Sequence, residues 1–139
     1  MSEIITDKLT GKTSAGDVTI TSEGGSATMQ LQQGLAKAWC CLTSTTNGGS
    51  GTVSLLDSHN LSSFTDRATG DYTNNFSNNF SAAQYCTSGS CKDDQYHFNV
   101  AHDIDITTSA CAYGYYYQPS GTSDGDYKFS SSMHLGDLA

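Results

Sequence analysis

The sequence is short of charge. Asp, Glu, Lys and Arg make up 14% of its 139 residues, against roughly 25% in ordinary soluble domains. The shortage is sharpest for cations: six Lys and Arg face fourteen Asp and Glu, for a net charge of −8. Binding to nucleic acid or to an anionic membrane relies on clustered Lys and Arg that displace counterions, so neither partner is expected. Proline occurs once, at Pro119, which excludes a proline-rich stalk. Glutamate occurs only at Glu3 and Glu23, which argues against the paired carboxylates of a glycoside hydrolase. No apolar run approaches the roughly 18 residues of a membrane helix. The opening residues, Met1 to Asp7, lack the basic and apolar regions of a secretory signal. The chain is therefore expected to be made, and first to fold, in a reducing cytoplasm.

The signatures of common chemistry are missing as well. No serine sits in a nucleophile elbow. Gly24-Gly25 and Gly48-Gly49 lack the Lys-Ser/Thr and helix of a phosphate loop. Asp124-Gly125-Asp126 resembles a fragment of a calcium loop, but the Glu that should follow the Gly by six residues is Ser131, so a turn is expected. His97 and His102 lie five apart across a predicted strand and face opposite ways, as do His102 and the pair Asp103 and Asp105. No catalytic residue, metal or cofactor is expected. The five cysteines, at 40, 41, 86, 91 and 111, are odd in number and include no CxxC pair. Cys86 and Cys91 could close a small disulfide loop under oxidising conditions; the alternative is that all five are small buried hydrophobes or free thiols.

What the chain has in quantity is hydroxyl: 37 of 139 residues are Ser or Thr. Twelve of the fourteen acids are Asp, a residue of turns and caps. With eight Tyr and five Phe, this composition favours short strands joined by turns. Residues 1–26 are polar and hold one amphipathic strand, Asp17 to Thr21, with Val18 and Ile20 on one face. A lone strand is not stable, so this stretch reads as a docking arm. Residues 27–39 predict the one helix, continuing to 42 as an oligomerising segment. Its apolar stripe runs through Leu31, Leu35 and Ala38, with Trp39 beside it, and is as narrow as a coiled-coil seam. A helix this short needs a partner, either its own domain's sheet or the same helix of other subunits; the preceding arm favours the second. Residues 43–52 lack apolar residues and read as a flexible linker or an exposed loop.

Residues 53–139 predict seven or eight strands with turns every 8–12 residues, the pattern of a small sandwich or barrel. Val53 and Leu55 alternate, Asp66 to Asp71 reads as a hairpin connection, and Tyr72, Asn74 and Phe76 share one face. In the Tyr cluster, Tyr113, Tyr115 and Tyr117 line a core face, and Tyr116 points the other way as a candidate receptor contact. These strands carry few Leu, Ile or Val, and a core this thin gains from burial between subunits.

Several segments together resemble small structural proteins of marine tailed bacteriophages. The likeness runs from Lys8-Leu9-Thr10-Gly11-Lys12-Thr13 through Glu23-Gly24-Gly25 to Met29-Gln30-Leu31-Gln32-Gln33-Gly34-Leu35. It continues in Asp57-Ser58-His59-Asn60-Leu61, Thr69-Gly70-Asp71-Tyr72 and the ending Gly136-Asp137-Leu138-Ala139. The cysteines depart from that pattern. The resemblance implies a virion location, an N-terminal segment that binds the particle, and a C-terminal β domain projecting as a homotrimer.

The expected architecture is therefore mainly β: an extended arm and one short helix, then a small antiparallel β-sandwich or jelly-roll-like domain, trimeric. The expected function is a non-enzymatic fibre-like virion appendage that displays its β domain for attachment. The alternatives are a capsid decoration protein and a carbohydrate-binding module. The expected partners are further copies of the chain, other tail or capsid proteins, and a host surface glycan or receptor.

Overall fold

The computed structural model describes residues 6–10, 18–21, 25, 28–31, 34–92, 96–100, 106–117 and 123–139. It divides into two compact units, Met1–Leu35 and Ala36–Ala139. In the first, β1 (Thr19–Thr21) pairs antiparallel with β2 (Thr28–Gln30), placing Ile20 opposite Met29. The Leu31 N–H closes the pairing on the Val18 carbonyl at 2.7 Å. Every residue of both strands is exposed.

Among the described residues there is no helix, so the oligomerising helix expected over 27–42 is not formed. Two features of the sequence work against it. Gly34 costs a helix interior about 1 kcal/mol relative to Ala. From Ala38 onward the apolar period is 2: β3 (Ala38–Ser44) alternates strictly between buried and half-buried residues. Ala38 and Trp39 are therefore neighbours on opposite faces of a strand, not members of one stripe with Leu31 and Leu35.

The second unit holds β3, β4 (Val53–His59), β5 (Leu61–Ala68), β6 (Asp71–Phe76), β7 (Cys86–Cys91), β8 (Tyr96–Val100), β9 (Ala110–Tyr117), β10 (Ser123–Asp124) and β11 (Ser130–Leu135). One sheet has the order β4-β3-β11-β7; the other has β10-β9-β6-β5, with β8 also on β9. All pairings are antiparallel. The two sheets share one interior: Cys40 and Leu42 of the first pack with Tyr72, Tyr113 and Tyr115 of the second. This is the arrangement of a β-sandwich. Residues 43–52 are not an interdomain linker. Thr43 and Ser44 belong to β3, and the remainder turns the β3–β4 hairpin, with the Thr45 N–H donating to the Thr52 carbonyl at 3.1 Å.

Leu42 is the only Leu, Ile or Val buried among the described residues. Aromatic rings fill the space instead: Tyr72, Tyr113, Tyr115, Tyr127, Phe76 and Phe80 are each 5% exposed or less. Rings bury large areas, but their phenols require partners inside. Tyr113 and Cys40 both approach the Asn74 Oδ1, at 3.3 and 3.5 Å, while the Asn74 Nδ2 donates to Ser132 at 2.8 Å. Tyr115 donates to the Ser131 carbonyl at 2.8 Å. The thin aliphatic core read from the sequence is thus completed by a hydrogen-bonded polar layer between the sheets.

Asp126 fastens one end of the sandwich. Its buried carboxylate accepts from the Gly51 N–H at 2.6 Å, the Gly70 N–H at 2.8 Å and the Tyr72 hydroxyl at 2.8 Å. Its backbone pairs with Gly48 and Gly49 at 2.8 and 3.0 Å. Gly70 turns the β5–β6 hairpin at φ +75°, a conformation that favours glycine. The Asp124-Gly125-Asp126 turn is therefore a structural anchor, its acid already occupied by three protein donors.

Candidate functional site

The outer face of the β4-β3-β11-β7 sheet is built by alternation. Along β3, Ala38, Cys40, Leu42 and Ser44 point inward and Trp39, Cys41 and Thr43 outward. Along β11, Ser130, Ser132 and His134 are buried, while Ser131, Met133 and Leu135 lie outside. In β7 the exposed residues are Cys86, Ser88 and Ser90. Register then sets two rows across the sheet. His59, Trp39, Met133 and Ser88 form one; Asp57, Cys41, Ser131 and Ser90 form the other.

Tall side chains in the first row stand beside short ones in the second. The result is a groove of about 340 Å³ lined by Trp39, Cys41, Met133, Ser88, Ser90 and Ser131 over the β3, β7 and β11 backbones. Its volume is at the small end of the roughly 300–1,000 Å³ of small-molecule sites. His59 stacks on the indole with ring centroids 6.5 Å apart and planes 23° from parallel. The Ser90 and Ser131 hydroxyls are 3.1 Å apart. Met133 remains 41% exposed. The groove therefore offers a flat aromatic wall, a thioether and a set of hydroxyls, with no charged side chain in its lining.

Beneath the groove, on the inner side of the same strands, lies His134. Burial pushes its imidazole down to about 4. Its ring contacts are Asn74 Nδ2 at Nε2, 3.1 Å, and Thr87 Oγ1 at Nδ1, 3.0 Å. Burial likewise raises the phenols of Tyr72, Tyr113 and Tyr115 and the thiol of Cys111. These groups are protonated structural members of the interior. Among the described residues, no three His, Cys, Asp or Glu side chains are grouped to hold a metal ion.

The residues singled out in the sequence do not form one site. Val18, Ile20, Leu31 and Leu35 lie in the first unit, Ile20 and Leu35 being 47% and 53% exposed. Ala38 is buried in the sandwich core and Trp39 forms a wall of the groove. Tyr116 is half-buried: it donates to the Asp71 carboxylate at 2.8 Å on the other sheet, away from the groove. Of the two readings of Cys86 and Cys91, the disulfide loop is not formed. Both residues end the same strand, β7, and neither is disulfide-bonded. Five steps of about 3.3 Å separate their Cα atoms by about 16 Å, far beyond the roughly 7 Å a disulfide tolerates. The segment His102-Asp103-Ile104-Asp105 lies outside the described residues, as does the Tyr117 side chain.

Sequence reasoning missed the groove. One signal was available in Cys86-Thr-Ser-Gly-Ser-Cys91, where Ser88 and Ser90 alternate as in a strand. Comparison of the chain with protein-family models, with curated proteins and with solved structures returns no match in any of the three.

Proposed function

We propose that the chain is a non-enzymatic structural protein of a virus particle, a short homotrimeric attachment appendage. Its first unit docks on the particle and its sandwich is displayed. The observation that carries this reading is the contrast between the two units. The sandwich exposes Leu55, Leu56, Phe129 and Met133 but also encloses an aromatic core, whereas no described residue of the first unit is buried and Leu9, Ile20, Met29 and Leu35 stand at 57, 47, 51 and 53% exposure. Exposed apolar side chains on so small a unit, Ile20 and Met29 side by side across β1–β2, mark a protein contact. The likeness of its sequence to bacteriophage structural proteins supports a virion as the setting. Without a helical seam, the three chains would meet through these apolar residues, and three weak tip contacts would combine through effective concentration.

The test is the solution mass of the full chain by light scattering, for wild type and an Ile20→Asp/Met29→Asp variant, followed by binding of both to particles lacking the protein. A wild-type trimer, about three times the 14.7 kDa chain, whose assembly and particle binding are both lost in the variant supports the reading. A wild-type monomer, or a variant that still binds particles, overturns it. Particles whose capsids become less stable when the protein is lost would place it on the head as a decoration protein.

A further inference from the structure

We propose that the groove between β3, β11 and β7 binds a neutral saccharide, with Trp39 as the stacking wall and Ser88, Ser90 and Ser131 as hydrogen-bonding partners. This rests on reading the sandwich as a displayed module and names the class of ligand it meets.

The chemistry of the lining selects the ligand. A pyranose ring has apolar C–H faces and a rim of hydroxyls. The indole of Trp39 is a flat apolar surface, with His59 stacked beside it, against which the C–H face of a sugar ring packs. Met133 adds a polarisable apolar contact across the same row. The serine hydroxyls each carry one donor and two acceptor sites, and the Ser90–Ser131 contact at 3.1 Å uses only one donor between them. An apolar peptide strand or a second copy of the sheet would cover Trp39 and Met133 equally well. It would also strip water from three hydroxyls, at a cost for every one left unpaired. A ligand that is itself rich in hydroxyls satisfies both halves of the lining.

Charge narrows the class further. No ionisable Asp, Glu, Lys, Arg or His lines the groove, and the chain carries −8 overall. Such a surface repels uronic-acid, sialylated and phosphorylated glycans. The groove is also rigid, built from the middle of strands rather than from loops, which suits weak, repeated contacts by several copies.

Trp39 is the only tryptophan in the chain, so its emission reports on this groove alone. The experiment titrates the full chain with neutral oligosaccharides built from glucose, galactose, mannose or N-acetylglucosamine, with uronic-acid oligomers as the charged comparison. The expected result is a saturable emission change with at least one neutral series and none with the uronic acids. Ser90→Tyr, which fills the groove, and Trp39→Ala, read on a glycan array, should each weaken binding about tenfold or more. Circular dichroism confirms that both variants are folded. Three results overturn the proposal: no neutral glycan bound at millimolar concentration, binding undiminished in both variants, or an emission change driven by protein concentration alone, which would assign the groove to a second copy. The docking test above reads Ile20 and Met29 instead. Saccharide binding without particle docking would sink the virion reading and leave this one standing, and the reverse outcome would do the opposite.

Discussion

The Nδ2 of Asn74 lies 3.1 Å from the Nε2 of His134 in the interior between the two sheets. Asn74 donates there, because its Oδ1 already receives Tyr113 at 3.3 Å and Cys40 at 3.5 Å. The Nε2 is thus an acceptor, and the ring's single proton sits on Nδ1, donated to Thr87 at 3.0 Å. A neutral imidazole is required, and burial lowers its titration from 6.5 to about 4. Between these values the unfolded chain binds a proton that the folded chain does not. His134 therefore stabilises fully above about pH 6.5, and its contribution is lost as the pH falls to about 4. The total is on the order of 3 kcal/mol. Urea midpoints at pH 7 and pH 4.5 should show this fall in wild type and a much smaller one in His134→Gln. Equal slopes would mean that other groups govern acid stability.

At the end of the sandwich, Asp126 gathers the Gly51 and Gly70 amides and the Tyr72 hydroxyl. Asp126→Asn turns one acceptor into a donor facing another donor, inside the protein. The expected loss is about 3 kcal/mol or more, since hydrogen bonds to charge are worth about 1.5–3 kcal/mol each. Tyr72→Phe removes one donor and leaves the carboxylate two, so its loss should be smaller, about 1.5 kcal/mol. Denaturant unfolding of the two variants and of the double variant checks the ordering. A Tyr72→Phe loss equal to that of Asp126→Asn would show that the hairpin amides contribute nothing.

The strands of the sandwich were legible where large rings alternate with polar residues, as in Tyr72, Asn74 and Phe76, all buried as their spacing implied. Tyr113 and Tyr115 were placed inside correctly for the same reason. The helix reading failed because Leu31, Leu35 and Ala38 fit a 3.6-residue period by accident of spacing, while β3 needs Cys40 and Cys41 to be read as strand residues. Leu35 and Ala38 belong to different units. Beyond the alternation of Ser88 and Ser90, nothing local announced the groove. Trp39, Ser88 and Met133 are distant in sequence and meet only through the registers of β3, β11 and β7. Asp126 was hidden similarly, since its donors come from two other turns.

None of the five cysteines is disulfide-bonded, and they differ in access. Cys86 is exposed, whereas Cys40 and Cys111 are 1% and 0% exposed. A thiol reagent should titrate Cys86 at once in the native protein, Cys41 and Cys91 more slowly, and Cys40 and Cys111 only on unfolding. Five thiols per chain should be counted in denaturant without reductant. Reductant should leave the thermal midpoint unchanged. Three thiols instead of five would show that two of the cysteines are bonded to each other.

Gly89, in β7 of one sheet, faces the Phe98 ring of β8 in the other. A Cβ added there would collide with the Phe98 ring and lie 2.6 Å from the Ser131 carbonyl oxygen. Phe98 has little room to retreat, because its ring packs on Tyr113 and Tyr115 at 5.4 and 5.8 Å between centroids. Gly89→Ala should therefore cost about 1–3 kcal/mol, the usual range for overpacking a core. Pairing it with Phe98→Leu, which shortens the obstructing side chain, should recover part of that loss, giving a favourable coupling in the double-variant cycle. Recovery stays partial because the Ser131 carbonyl is backbone and cannot move without disturbing the β7–β11 ladder. Additive losses in the two variants would show that Phe98 does not press on Gly89, and that the β7 edge lies farther from β8 than this contact requires.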